Sequence, residues 1–375
     1  MAGIYIHIPF CKQRCTYCDF YTRVAPSKTN DVVNAIVSEL DVRSDFLPTL
    51  DIETIYFGGG TPSLLTAEQF ALILDKISSV YKVSKTAEIT FEANPEDLTA
   101  VFFDSISQLP FNRISMGIQT FDDVQLKSIN RRHTGDGAVE AFQNARNAGF
   151  NNISVDLIYG LPGQSIQNWN TQLLKAISLK PEHISVYGLT YEEGTPLQHF
   201  AVKNKITKVN DDSMIEMHLM TFNLLQNAGY NAYEISNYAL PGFQSRHNSA
   251  YWKAIPYIGL GPSAHSFNGK VRQWNVASIK EYTEKINKNE VFYELETLTD
   301  NDRYNEYIMV GLRTSDGIDR DFISNNFNKL QLKYFENILS KYKNNKYLSI
   351  ENSSIKLTSE GILISNTIIE DFIIV

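Results

Sequence analysis

The chain has 375 residues, 43% hydrophobic and 20% charged, with a formal net charge of −8. This is the composition of an ordinary soluble globular protein, long enough for one large domain and a smaller one, and the acidic balance argues against a nucleic-acid partner. No run approaches the roughly 18 consecutive apolar residues of a membrane span, and the opening apolar stretch is broken by His7 and Pro9, unlike a secretory leader. The expectation is a cytoplasmic protein that is not integral to a membrane.

The first predicted element is a strand, because GIYIHI (residues 3–8) alternates apolar and polar side chains. Cys11, Cys15 and Cys18 follow at once in CKQRCTYC, and they are all the cysteines of the chain. An odd number packed into one loop argues against a disulfide framework. Three readings stay open. Inert buried thiols sit badly beside the polar Lys12, Gln13 and Arg14. Structural zinc wants four ligands, usually as two pairs, and the second pair is missing; His7 is the nearest addition, but it belongs to the strand. A cubane iron–sulfur cluster normally takes four thiolates, so three would leave one iron open to a small molecule.

Further along, residues 27–47 carry Val33, Ile36, Val37 and Leu40 at helical spacing. DIETIYFGGGTP (51–62) reads as a strand running into glycines. Thr66 and Gln69 form a capping-box pattern ahead of FALILDKI. AEITFEANP (87–95), RISMGIQTF (113–121), NISVDLIYGLPG (152–163) and EHISVYGL (182–189) are four more strands, and Ser165 is an N-cap for a helix over 166–179. Six strands alternating with helices imply parallel pairing and right-handed crossovers. Periodicity alone does not separate a partial (β/α)6 barrel from a doubly wound sheet. Gly58-Gly59-Gly60 reads either as a tight turn or as backbone held close to a ligand. Glu92, Gln119, Arg131 and Asp156 fall at or just beyond strand ends. Each alone reads as a solvated or capping residue, but together they make a polar ring at one end of the barrel.

Beyond residue 286 the βα rhythm stops. Two or three helices precede an expected hairpin over 347–357, turning at Asn352-Ser353-Ser354, and a terminal helix. The predicted division is therefore 1–285 for an α/β domain and 286–375 for a small α+β, winged-helix-like domain.

The cysteine spacing C-x3-C-x2-C resembles the signature of the radical S-adenosylmethionine (SAM) enzymes. The longer motifs YIHIPFCKQRCTYCDF, YFGGGTPSLL, FEANPED, NRISMGIQTF, DLIYGLPGQ and GLGPSAHS resemble, in order, the oxygen-independent coproporphyrinogen III oxidase family over residues 3–266. The resemblance implies a partial, open (β/α)6 radical SAM barrel. It implies a 4Fe–4S cluster on Cys11, Cys15 and Cys18 whose open iron is completed by SAM. It also implies SAM contacts at Tyr5, Gly59, Gly60, Thr61, Glu92, Gln119, Arg131, Asp156 and Gly188. Arg131 is preferred to Arg132 by one residue of alignment, and Gly188 stands where the oxidases usually have Ala.

Two departures set the chain apart from the true oxidases. Phe20 occupies the position of their fourth cysteine, and their long N-terminal extension has no counterpart before the strand at residue 3. Both features resemble the HemW subfamily, described as heme chaperones. HNSAYW (247–252) matches the HNxxYW motif linked to heme there, which implies His247 as an axial ligand; the competing reading packs Tyr251 and Trp252 on the core with His247 as a local cap. The implied partners are heme and heme-accepting proteins, membrane-associated respiratory proteins among the candidates. The alternative is an enzyme that converts coproporphyrinogen III to protoporphyrinogen IX by radical oxidative decarboxylation.

Overall fold

The computed structural model describes residues 1–343 and 345–375, and of Pro26 only the backbone. All six predicted strands form: β1 (Ala2–Ile8), β2 (Asp51–Gly59), β3 (Lys82–Ala93), β4 (Arg113–Gln119), β5 (Ile153–Tyr159) and β6 (His183–Gly188). They pair in parallel in sequence order. Between them run α1 (Thr29–Val42), α2 (Ala67–Val80), α3 (Ala100–Ile106), α4 (Asp123–Ser128), α5 (Gly135–Asn147) and α6 (Ile166–Ser178). The predicted start signals are real. Thr66 accepts from the Gln69 backbone N–H while the Gln69 side chain accepts from that of Thr66, and Ser165 caps α6 through the Asn168 N–H.

GIYIHI alternates in sequence, yet β1 is buried almost continuously, with only Tyr5 half-exposed. The reason is pairing on both edges together with cover on both faces, as in a central parallel strand. The aromatic rings of Phe57, Phe70, Phe91 and Phe111 meet edge to face behind the sheet at centroid distances of 4.9–5.7 Å.

After β6 come α7 (Pro196–Val202), α8 (Asp211–Asn227), β7 (Asn231–Ala232), β8 (Asn237–Ala239), α9 (Arg246–Trp252), β9 (Tyr257–Leu260), β10 (His265–Phe267), β11 (Val271–Asn275), α10 (Ile279–Asn287) and β12 (Tyr293–Thr297). These strands cap both edges of the six, giving the order β12-β11-β10-β9-β1-β2-β3-β4-β5-β6-β8-β7. β9 occupies the outer edge of β1 and β8 that of β6, so β1 and β6 never meet and the barrel stays open.

The predicted division at residue 286 cuts through α10, and β12 still pairs with β11 in the barrel sheet. A separate core begins at Tyr304, built on α11 (Asp300–Gly311), β13 (Ile318–Asp319), α12 (Arg320–Asn326), α13 (Lys329–Tyr342), the hairpin β14 (Leu348–Glu351) and β15 (Ser354–Leu357), α14 (Ser359–Leu363) and α15 (Ser365–Phe372). The hairpin turns at Asn352, which takes a left-handed φ of 55°, and Ser353; Ser354 already belongs to β15.

A buried polar network ties α1 to the added strands. Glu39, fully buried, pairs with Arg43 at 2.8 Å, accepts from Asn275 at 2.7 Å and from the Gly261 N–H at 2.9 Å, and also accepts from Tyr282. Arg43 donates onward to the Gly259 carbonyl, Ser266 and Gln273 at 2.8–3.0 Å. The GLGPSAHS motif thereby acquires a structural role: it ties β9 to α1.

Candidate functional site

The three cysteines lie in the loop that leaves β1, and all three are free and half-buried. Neighbouring elements strap this loop down. The Cys11 N–H donates to the Arg23 carbonyl at 3.1 Å, and the Thr16 N–H to that of Ile129 at 3.1 Å. The Gln13 amide donates to Asn130 at 2.7 Å, and the Asn130 side chain donates back to the Arg14 carbonyl at 2.7 Å. Lys12 pairs at 2.6 Å with Asp97, which also accepts from Ser63 at 2.9 Å. Asn130, with a φ of 61°, and Asp97 were not foreseen from sequence, where each passes for an ordinary turn residue.

Burial pushes the Cys11 thiol up, against a hydrogen bond from Thr61, and pushes Cys18 up to about 11; the other cysteines of the loop add to both shifts. Burial thus favours the thiol forms of Cys11 and Cys18, and a bound cation would favour the thiolates. Among the described residues no three His, Cys, Asp or Glu side chains converge on a single metal ion. A polynuclear cluster makes a different demand, one thiolate to each of three irons.

Around this loop the barrel mouth carries the predicted polar ring. Thr61 is buried and bridges inward: its hydroxyl donates to Cys11 Sγ at 3.4 Å and accepts from Asn94 at 3.2 Å. Arg131 reaches Cys15 Sγ at 3.6 Å and donates to the Gly117 carbonyl, while its Nε is buried without a partner. Burial works against the Arg131 charge, but Tyr17 and Cys15 outweigh it and hold the guanidinium firmly protonated. Gln119 sits beside it in a left-handed turn, φ 68°, and a Cβ on Gly117 would crowd the Gln119 amide at 2.9 Å.

Glu92 accepts from Tyr56 at 2.8 Å and from the Gly59 N–H. Burial lifts its pKa to about 7, opposed by the Tyr56 hydrogen bond and reinforced by Asp156. Asp156 is raised by burial too, although Ser185, Ser115 and Ser154 donate to it. The serine cradle on β4, β5 and β6 was invisible in sequence because serine alone carries no signal. Tyr5 donates to His7 Nδ1 at 3.1 Å, and His7 Nε2 donates to the Tyr21 carbonyl at 3.0 Å, so His7 is committed to the scaffold and not to a metal.

The glycines answer to their own chain. A Cβ on Gly59, φ 104°, would strike the His7 ring at 2.5 Å, and one on Gly60 the Phe10 carbonyl at 2.6 Å. At Gly58 it would fill the space between Tyr5, Tyr56 and Glu92. At Gly188 it would meet the Tyr159 hydroxyl at 3.0 Å, so that hydroxyl takes up the room an alanine methyl would need.

His247 makes local contacts on both ring nitrogens. Its ring is 1% exposed and stacks on Tyr56 at 5.0 Å. Nδ1 bonds to Thr54 at 2.8 Å and Nε2 to the Tyr251 hydroxyl at 2.8 Å. Both ring nitrogens are occupied, and burial pushes the pKa down to about 3. A heme iron has no access to either nitrogen in this arrangement. Tyr251, which bonds His247, and the adjacent Trp252 also line a cavity.

The fit to a cluster with SAM can be judged on these atoms. Three free thiols would suit the cluster, and two carboxylates with a buried cation carrying one unpartnered N–H would suit a zwitterion beside it.

The Radical SAM superfamily profile matches residues 5–172, and the HemN C-terminal domain profile matches residues 298–364. Over 376 aligned residues the chain is 33% identical to the heme chaperone HemW of Bacillus subtilis (strain 168), covering 100% of this chain and 99% of that protein. It is 37% identical over 271 residues to the heme chaperone HemW of Escherichia coli (strain K12), covering 72% and 70%. Its fold superposes on the coproporphyrinogen III oxidase of Escherichia coli, a radical SAM enzyme, with a TM-score of 0.85 at 22% identity, over 99% of this chain and 90% of that one.

Proposed function

The chain belongs to the HemW family of the radical SAM superfamily, and from that membership we propose that it is a heme chaperone, binding heme and handing it to acceptor proteins in the cytoplasm. The observation that carries this reading is identity to a named heme chaperone along the whole chain. Phe20 supports it. The side chain is 65% exposed where the oxidases have a fourth cysteine, so no ligand or buried contact replaces that thiol.

In this reading Cys11, Cys15 and Cys18 hold a 4Fe–4S cluster and the barrel mouth holds SAM. When bound, such a cluster would supply single electrons. The chain's own residues bind and orient. Arg131 would bind the SAM carboxylate, and Glu92 and Asp156 would take its ammonium and ribose. Tyr5, Gly59, Gly60, Gln119 and Gly188 bound the pocket, and Thr61 orients Cys11. The acceptors we expect are heme-dependent proteins, membrane-associated ones included; among the described residues no helix is long and apolar enough to cross a membrane.

The test is a hemin titration of the cluster-loaded protein, followed by absorbance. Saturable binding is expected, and its absence would overturn the reading.

A further inference from the structure

We infer that the cavity between α9 and the C-terminal domain is the porphyrin site, holding heme by stacking and charge and leaving its iron weakly ligated. The inference rests on the heme reading above and goes beyond it by naming where the macrocycle sits. The cavity has a volume of about 850 Å³, inside the roughly 300–1,000 Å³ range of pockets that enclose most of a small ligand. Trp252 and Tyr257 line the barrel side, Tyr307 and Phe322 the side of the C-terminal domain. One third of its lining residues are aromatic, against 12% of the chain, so this is a surface enriched for flat apolar contact. Tyr307 and Phe322 stack face to face at 4.6 Å with only 22° between their planes, and Phe322 is 43% exposed. The exposed Phe322 offers the outer face of this pair to a planar macrocycle.

Charge points the same way. In a chain of net charge −8 the lining carries three cations, Lys253, Arg272 and Arg303, against two carboxylates, Glu306 and Asp316. Arg272 is held by Glu306 at 2.7 Å. Arg303 is about half exposed and only loosely paired with Asp300 at 3.9 Å, and Lys253 has no ion pair among the described residues. Two cations are thus available for the two carboxylates of a porphyrin edge.

The lining includes no histidine and no cysteine. Iron ligation is left to phenols or to the thioether of Met309, which is 37% exposed. A carrier that must release its cargo gains from this, because stacking and surface charge let go more readily than a strong axial bond. The HNSAYW helix then has two separate tasks. Tyr251 and Trp252 form a wall of the cavity, and His247 is a positioning residue that fixes Tyr251 through its hydroxyl.

The experiment compares hemin with metal-free protoporphyrin IX on the full, cluster-loaded chain, by absorbance and fluorescence titration. Three proteins are measured: unmodified, Met309→Trp to fill the cavity from the C-terminal side, and Arg303→Glu. Unmodified protein should bind both ligands within about tenfold of each other, since the iron adds little. Met309→Trp should weaken both by at least about tenfold, with iron content unchanged. Arg303→Glu, at an exposed position, should weaken both by about three- to tenfold with the melting temperature little changed. Hemin binding that excludes the metal-free porphyrin and ignores both substitutions would overturn the inference while leaving the heme function standing. Binding of neither ligand by unmodified protein would instead overturn the function.

Discussion

Glu92→Gln is expected to make the protein more stable in alkali and worse at binding SAM. The unfolded side chain titrates near 4.5, while in the folded protein burial carries it to about 7. A raised carboxyl binds its proton more tightly when folded. Its stabilisation is therefore complete below the unfolded value and is lost as pH climbs through the folded one. The shift corresponds to about 3 kcal/mol of stability lost between pH 4.5 and 7. Glutamine keeps the carbonyl that accepts from Tyr56 and Gly59 but never ionises. Facing groups moderate the effect: Tyr5, Tyr56 and Tyr251 stay neutral through this range, whereas Asp156 is itself raised and gains when the neighbouring charge disappears. The assay is the melting temperature of mutant and unmodified protein, side by side at pH 5 and pH 8.5 without SAM. The mutant's advantage should grow by a few degrees toward pH 8.5. Saturating SAM should shrink that advantage, because its ammonium favours the ionised carboxylate. A difference in melting temperature that is the same at both pH values would refute the assignment of Glu92 as a strained buried acid at the mouth.

Three further outcomes follow from the geometry. Anaerobic reconstitution should yield about four iron per chain, and Cys11→Ala, Cys15→Ala or Cys18→Ala should each abolish it, since no other thiol exists; metal analysis checks this, and zinc in place of iron would contradict it. Asp156→Ala should weaken SAM binding roughly tenfold to a hundredfold with the cluster intact, by calorimetric titration, because charge-assisted hydrogen bonds to the ligand are lost. Arg43→Ala should cost about 3–5 kcal/mol in denaturant unfolding, because it strands the buried Glu39 carboxylate; a change under about 1 kcal/mol would mean that the network tolerates the loss.

What could be read ahead of the structure was local. The six strands and the caps at Thr66 and Ser165 announce themselves within a few residues, and the cysteine spacing does the same. The ring of Glu92, Gln119, Arg131 and Asp156 was legible because parallel strands deliver their C-terminal ends to one place. Features that depend on distant partners were hidden. Glu39 and Arg43 look like a solvated helix face until β9, β10 and β11 close over them. β12 extends the first sheet beyond the predicted domain division because pairing with β11, not composition, sets the limit. His247 stands in a motif that leaves a heme ligand and a local cap both open, and Thr54 and Tyr56 of β2 with Tyr251 of its own helix enclose it. The cavity beyond it needs both domains and leaves no trace in either segment alone.

The central claim, chaperone and not oxidase, is tested most directly by product analysis. Cluster-loaded protein is incubated anaerobically with coproporphyrinogen III, SAM and a reductant, and the porphyrins are separated after oxidation. Coproporphyrin should be recovered unchanged, from a preparation that binds heme. Protoporphyrin formed in multiple turnovers would contradict it.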